Sequence, residues 1–337
     1  MAAMRLLMSD LYTCGWGRYG WPTELGGLGG TILHRAVMWE RLAQHGVAGM
    51  AAFEHLEVLG PTLVAMGPSE FVADVFPRFL DGSETWAQGF SEPDAGSDLA
   101  NLRTKAELID GGYLITGRKI WTSWARFARW GLVLARTGTV ESRHRGISAL
   151  IVDFTSPGVE VRSIEQANGH DELAEVSFDG VYVPANRIVG TENGGWAVAM
   201  HILSHERGTF AWFRHAFLYK QLITQLAQAP DHSDGLLGEA ILDLTSVRAA
   251  AFLGLRAHHA EAPLGPRAAF SKLLLCSAEQ SLYDWVLATD ADLAVDPVDA
   301  PVAKLRESYL FSRIVTIYGG SQQMQLDTIA KQILKLA

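Results

Sequence analysis

Residues 89–98 read Gly-Phe-Ser-Glu-Pro-Asp-Ala-Gly-Ser-Asp, a polar loop containing two glycines. Its backbone N–H groups and the hydroxyls of Ser91 and Ser97 can hold a phosphate or the edge of a heterocycle. The plainer reading is an ordinary surface turn. Residues 118–124 read Arg-Lys-Ile-Trp-Thr-Ser-Trp. An indole beside the hydroxyls of Thr122 and Ser123 can stack on a flat ring while a hydroxyl bonds the ring's edge. The plainer reading is a core tryptophan at a strand end. His201, His205 and His215 share one helical stretch, but spacings of four and ten make no metal set, so no metal is expected. Arg143, His144 and Arg145 make a small basic turn, read as surface by default and as a phosphate contact otherwise.

Three zones of different periodicity must position these segments. Residues 1–84 open with a glycine-rich loop over 14–30, followed by helical patterns around residues 36–43 and 71–80, the second ending at Asp81-Gly82. Residues 85–188 change to a period of two. Within them, residues 105–109 and 113–116 flank Asp110-Gly111-Gly112 as a hairpin. Residues 131–136, 148–154 and 159–164 read as short strands, and Asp179-Gly180 is expected to turn the chain between two more. A small antiparallel sheet or barrel results. Residues 189–337 are helical again. One long helix is expected over 195–228 with a break at 230–235. Others follow over 236–259 and 267–288, a loop at 290–301, then 302–318 and 322–336.

Composition narrows the possible functions. With 337 residues, 48% hydrophobic and 19% charged, the chain can bury a large core. Its net charge of −9 and the absence of any Lys/Arg block argue against nucleic acid. Two cysteines, Cys14 and Cys276, make neither a metal set nor a disulfide framework, which fits a reducing cytoplasm. No signal peptide and no apolar run of about 18 residues is seen, so no membrane span is expected.

The two segments, taken with the zone order, resemble the acyl-CoA dehydrogenase family. The resemblance rests on Ser91-Glu92-Pro93-x-Ala95-Gly96-Ser97-Asp98, Gly117-x-Lys119-x-Trp121, Val181-x-Val183-Pro184 with Val189-Gly190, Gly194-Gly195-Trp196, Glu206-Arg207, and Tyr318-Gly319-Gly320-Ser321. It implies an α+β fold: an N-terminal helical domain (1–84), a middle antiparallel β-barrel domain with the flavin site (85–188), and a C-terminal four-helix bundle (189–337). It also implies FAD. Gln88, Phe90 and Ser91 would lie along the flavin's pyrimidine edge, with Gly96 in the same loop, and Ser97 would reach the pyrophosphate. Trp121 would pack on the ring system, with Thr122 next to it and Ser123 bonding near N5. Gly320, Ser321 and Gln323 match an end motif that reaches FAD held largely by a neighbouring subunit. Serine stands at 91, 123 and 321, where the family more often has threonine, and keeps the hydroxyl.

The family's reaction takes an α-proton from an acyl-CoA thioester and passes the β-hydride to the flavin, and so needs a base and donors to the thioester oxygen. In many members the base is the glutamate of Tyr-Glu-Gly-Thr. Here Gly319 holds that position and can offer only its backbone N–H, as an oxyanion donor. Other members place the base in a Glu-Arg pair on a C-terminal helix, which Glu206-Arg207 matches, with Arg207 beside the substrate. On a helix, Glu206 has Ala199, Ile202, Leu203, Phe210 and Phe213 on its face. Desolvation there should favour a working base. The alternative is a structural Glu206 paired with Arg207, Arg214 or His205.

Two departures from the family qualify the reading. Only about fourteen residues precede Gly15, where the family has roughly two helices, so the expectation is either a trimmed first domain or a start set too late, each thinning the acyl-pocket wall or leaving it open. The usual Arg-x-x-Phe-Gly segment has no counterpart between Gln228 and Leu255. That change, a bundle shortened near 290–301 and the Gly-Gly-Ser ending resemble a bacterial subgroup that pairs two different subunits, some acting on steroid side-chain CoA esters. The expectation is an FAD-dependent acyl-CoA dehydrogenase, homo- or hetero-oligomeric and passing electrons to an electron-transfer flavoprotein or similar acceptor. The alternatives are a non-catalytic or half-competent partner subunit, and a flavin monooxygenase on the same scaffold.

Overall fold

The computed structural model describes residues 2–47, 51–207, 209–228, 235–262, 264–289 and 300–336. Of the break expected at 230–235 and the loop expected at 290–301, residues 230–234 and 290–299 lie outside them, as does the Arg207 side chain, while Gly235 and Ala300 already begin helices. The described residues follow the expected order, helical, then β, then helical. They form two compact units.

The first unit joins N-terminal helices to the sheet. It holds α1 (Ala2–Thr13), α3 (Ala51–Met66) and α4 (Ser69–Leu80). Helix α4 buries Phe71, Val72, Val75, Phe76, Phe79 and Leu80, two adjacent i, i+4, i+8 rows that make one apolar stripe. Pro77 sits in its last turn, and the helix ends at Asp81, with Gly82 at φ +76 beyond. Helix α1 was not among the sequence expectations, because Met4, Met8 and Leu11 mark only one narrow buried stripe.

The sheet has eight strands: β1 (Trp86–Gly89), β2 (Lys105–Ile109), β3 (Gly112–Lys119), β4 (Trp130–Arg136), β5 (Ile147–Asp153), β6 (Val159–Ile164), β7 (Leu173–Pro184) and β8 (Ile188–Val189). Their order is β6-β7-β3-β2-β4-β5-β8, with β1 beside β4. Most pairs are antiparallel; β1 and β2 run parallel to β4, so the sheet is mixed. Strands β4 and β5 are buried almost throughout, and Leu132, Val133, Leu134, Ala149 and Leu150 are inaccessible. One expectation fails locally. Asp179-Gly180 does not reverse the chain; β7 runs through it. The pairing steps from Ile115↔Val181 to Gly117↔Phe178, so Asp179 and Gly180 together oppose Thr116. Gly180 takes φ +60 and absorbs the extra residue as a β-bulge.

The second unit is helical. It contains α2 (Ile32–Gln44), α6 (Thr209–Gln228), α7 (Gly235–His259), α8 (Ala268–Thr289), α9 (Ala300–Ser312) and α10 (Gln322–Thr328), and takes in the last turn of α5 (Gly195–Arg207). Helix α2 packs on α6: the Trp39 and Phe213 rings lie 5.4 Å apart, and Trp212 Nε1 donates to the Ala36 carbonyl. Arg248 on α7 pairs with Glu40 at 2.9 Å and covers the Trp212 ring. In the interior, Arg214 makes a bidentate pair with Glu279 at 3.0 and 2.6 Å. The helix expected over 302–318 ends at Ser312 and gives way to turns, and the one expected over 322–336 closes in a π-turn over Ile329–Ile333.

Candidate functional site

In the first unit the chain leaves β1 at Gly89, beside Val133 of β4 and the Lys119 side chain. It then doubles back through reciprocal bonds between Glu92 and Ala95. The amide of Ile120, just past β3, donates to the Ser91 carbonyl at 2.9 Å and brings the two predicted segments together. Beneath them lies a pair that sequence reading gave no role. Lys119 is wholly buried, and its Nζ donates to the Phe90 carbonyl at 3.1 Å and to Glu92 Oε1 at 2.7 Å. Glu92 also accepts from the amides of Arg103 and Thr104, at 2.6 and 2.9 Å. Burial pushes the Lys119 amine down to about 8, partly offset by Glu92. Burial alone would raise the Glu92 carboxyl, but the Lys119 charge and hydrogen bond hold it below the usual range. Arg136, also buried, donates to the carbonyls of Ala100, Leu102, Thr139 and Arg143 and so fixes both flanking loops. The loop is therefore held rigidly from below.

Above this platform the polar groups are presented outward. Trp121 adopts φ +60 and is 55% exposed, unusual for an indole at a strand end. Thr122 donates its amide to the Ala174 carbonyl, while its buried hydroxyl has no partner. Ser91 and Ser123 are half-buried, and Gly96 and Ser97 exposed. A Cβ at Gly96 would meet nothing within 4 Å, so the protein's own packing does not demand glycine there. Gln88 is half-buried in β1, and the Phe90 ring is packed inside. The structure thus brings together Gln88, Phe90, Ser91, Gly96, Ser97, Trp121, Thr122 and Ser123. An exposed ring with a partnerless hydroxyl beside it fits a flat heterocycle.

The second unit holds the other predicted residues. Gly319 and Gly320 adopt φ +63 and +87, a turn that favours glycine at both positions. Ser321 caps α10, its hydroxyl accepting from the Met324 amide. Buried Gln325, which the sequence did not single out, ties the turn down by donating to the Gly320 carbonyl at 2.9 Å. Gln323 is exposed. The turn sits against the end of α5. A Cβ placed on Gly319 would lie 2.3 Å from Glu206 Oε1 and 3.2 Å from its Cδ. The Glu206 carboxylate therefore fills the space where a side chain at 319 would begin. One pocket is lined by Glu206, Phe210, Ala211, Lys272, Leu275 and Tyr318. Glu206 is half-buried, with Phe210 beside it as the helical spacing predicts.

Lys272 is the residue that sequence reading missed. The signal was present: Ala268, Ala269, Lys272, Leu275, Cys276 and Glu279 all fall on the buried stripe of α8. A lysine in register with a core stripe needs a reason. The arrangement can accept a proton at a carboxylate in a pocket walled by apolar side chains.

Residues 3–83, 87–181 and 193–334 match the acyl-CoA dehydrogenase N-terminal domain, middle domain and C-terminal domain in turn. Acyl-CoA dehydrogenase IpdE1 of Mycolicibacterium smegmatis is 35% identical over 331 residues, 94% of this chain and 84% of the relative. The Tcur3481-Tcur3483 steroid ACAD G363A variant superposes with a TM-score of 0.89 at 26% identity, over 99% of this chain and 90% of the other. The ChsE4-ChsE5 complex from Mycobacterium tuberculosis gives 0.81 at 27% identity, over 99% and 90%.

Proposed function

Because the chain belongs to the acyl-CoA dehydrogenase family, we propose that it carries out FAD-dependent α,β-dehydrogenation of an acyl-CoA thioester, with Glu206 as the base. The observation that carries this reading is the carboxylate of Glu206 in the space a side chain at 319 would occupy. A glutamate at 319 and one at 206 would compete for the same place, so Gly319 is what admits the Glu206 carboxylate. The α-C–H bond breaks and its proton moves to Glu206. The Gly319 N–H donates to the thioester oxygen as charge builds there. Arg207 is the residue that the family's Glu-Arg pair would set beside the substrate. Bound FAD supplies the acceptor for the β-hydride.

The residues that would hold FAD are Gln88, Phe90, Ser91, Gly96, Ser97, Trp121, Thr122 and Ser123. The exposed Trp121 ring, the partnerless Thr122 hydroxyl and the open space at Gly96 support this. Gly320, Ser321 and Gln323 would reach the FAD of a neighbouring subunit. Electrons would leave through an electron-transfer flavoprotein or a similar acceptor. The domain limits 1–84, 85–188 and 189–337 and a cytoplasmic setting belong to the same reading; no helix among the described residues is long and apolar enough to cross a membrane.

A second reading has a specific support. Two similar structures are of paired chains, the ChsE4-ChsE5 complex and Tcur3481-Tcur3483, the latter a steroid ACAD. This chain would then be one subunit of a heteromeric enzyme acting on a steroid side-chain CoA ester. The chain, purified alone and with its partner, distinguishes the two. A yellow protein bleached anaerobically by an acyl-CoA supports the enzyme. Colour that comes only with the partner supports the paired subunit. A protein that binds FAD and is bleached by no acyl-CoA, alone or paired, overturns dehydrogenation.

A further inference from the structure

Among the described residues two lysines are buried, Lys119 and Lys272. The first is accounted for by Glu92. The second lies on α8 with its Nζ 3.8 Å from the centre of the Tyr318 ring. The same Nζ is 3.7 Å from the point where a Cβ on Gly319 would stand, the point that Glu206 Oε1 approaches to 2.3 Å. Ammonium and carboxylate thus lie within 4 Å of one point, in a pocket whose other walls are Phe210, Ala211, Leu275 and Tyr318.

We propose that Lys272 is a positioning residue for the base: its ammonium keeps the Glu206 carboxylate ionised and turned over Gly319, where it takes the substrate's α-proton. The inference rests on the reading of Glu206 as that base. A cation close to a carboxylate favours its charged form, and apolar walls strengthen the attraction. The Tyr318 ring face also attracts the ammonium. Charged and titratable groups on the surrounding elements have contacts of their own. On α6, Arg214 is engaged by Glu279 of α8. On the turn after α9, Arg313 pairs with Asp284. On α5, the His205 ring lies 4.6 Å from that of His258 on α7. One turn along α8 from Lys272, the Cys276 thiol donates to the Val315 carbonyl.

The test uses the full chain loaded with FAD, with its partner subunit if loading requires one. The probe is whichever of butyryl-CoA, octanoyl-CoA or a steroid side-chain acyl-CoA reduces the wild-type flavin fastest. Anaerobic reduction rates are followed across pH for Lys272→Met and Lys272→Arg. The acid limb should move up by about one to three pH units in Lys272→Met and stay near wild type in Lys272→Arg. An unmoved limb in folded, flavin-loaded Lys272→Met overturns the proposal. A second measurement needs no lysine variant. The infrared difference between wild type and Glu206→Gln at pH 7 should show an ionised carboxylate; a protonated carboxyl band overturns the proposal. The two readings fail separately. If Glu206→Gln reduces flavin normally, the base is wrong. If it does not, but the Lys272→Met limb is unmoved, only the role of Lys272 is wrong.

Discussion

Gly319→Ala tests the junction between the terminal turn and α5. The new methyl would stand 2.3 Å from Glu206 Oε1, where ordinary contact begins at 3.4 Å. The atom in the way is the end of a flexible side chain, so the backbone can stay and the carboxylate moves. A retreat of about 1 Å at a reacting group is worth roughly 100-fold in rate. Alanine at φ +63 also strains the turn by about 1–2 kcal/mol, a few degrees in Tm. The variant should therefore fold, hold FAD and melt slightly early, yet reduce its flavin about 100-fold more slowly. Rapid-scan absorbance under anaerobic conditions, with acyl-CoA in excess, measures the rate, and flavin fluorescence measures the melt. A variant with wild-type reduction kinetics would refute the argument that Gly319 is there to admit the Glu206 carboxylate.

Three further outcomes are expected. Lys119→Met leaves Glu92 buried without its cation and should lower stability by about 3–5 kcal/mol in urea titrations, with FAD retention falling alongside; unchanged titrations would show that the pair does not anchor the loop. Trp121→Ala removes a stacking face and should weaken FAD binding by about 2- to 10-fold, read by quenching of flavin fluorescence; unchanged affinity would remove the indole from the site. His55, with its Nδ1 donating to the Trp86 carbonyl, and His215 are each pushed down to about 4, chiefly by burial. Both stay neutral in the fold while the unfolded chain takes up protons below 6.5. Their contribution is full above pH 6.5 and is lost as pH falls toward 4, up to about 3 kcal/mol each. Urea midpoints flat between pH 7 and 4.5 would contradict those burials.

The segments of the candidate site could be picked out in the sequence because they are short and contiguous. A loop with Ser91 and Ser97, and an indole with hydroxyls at 122 and 123, advertise their chemistry within a few residues. Helix α4 and strands β4 and β5 could be read because their buried positions keep a strict period. What stayed hidden depends on pairs distant in sequence. Lys119 lies in one of the motifs that carry the resemblance, but its pairing with Glu92 is visible only once β3 lies beneath the loop. Lys272 sits on the buried stripe of α8, but the groups it meets, Tyr318 and the Gly319 turn, come from a segment far along the chain. Asp179-Gly180 carries a turn signature, and only the pairing across Thr116 turns it into a bulge. The helix expected to reach Tyr318 stops at Ser312, where the chain enters the turns that present Gly319.

The central claim is that the Glu206 carboxylate is the proton acceptor. Glu206→Gln keeps the size of the side chain and removes its basicity. The variant should bind FAD with a wild-type visible spectrum, and an excess of acyl-CoA should reduce that flavin anaerobically at least about 100-fold more slowly than in wild type. Reduction at the wild-type rate would contradict the account.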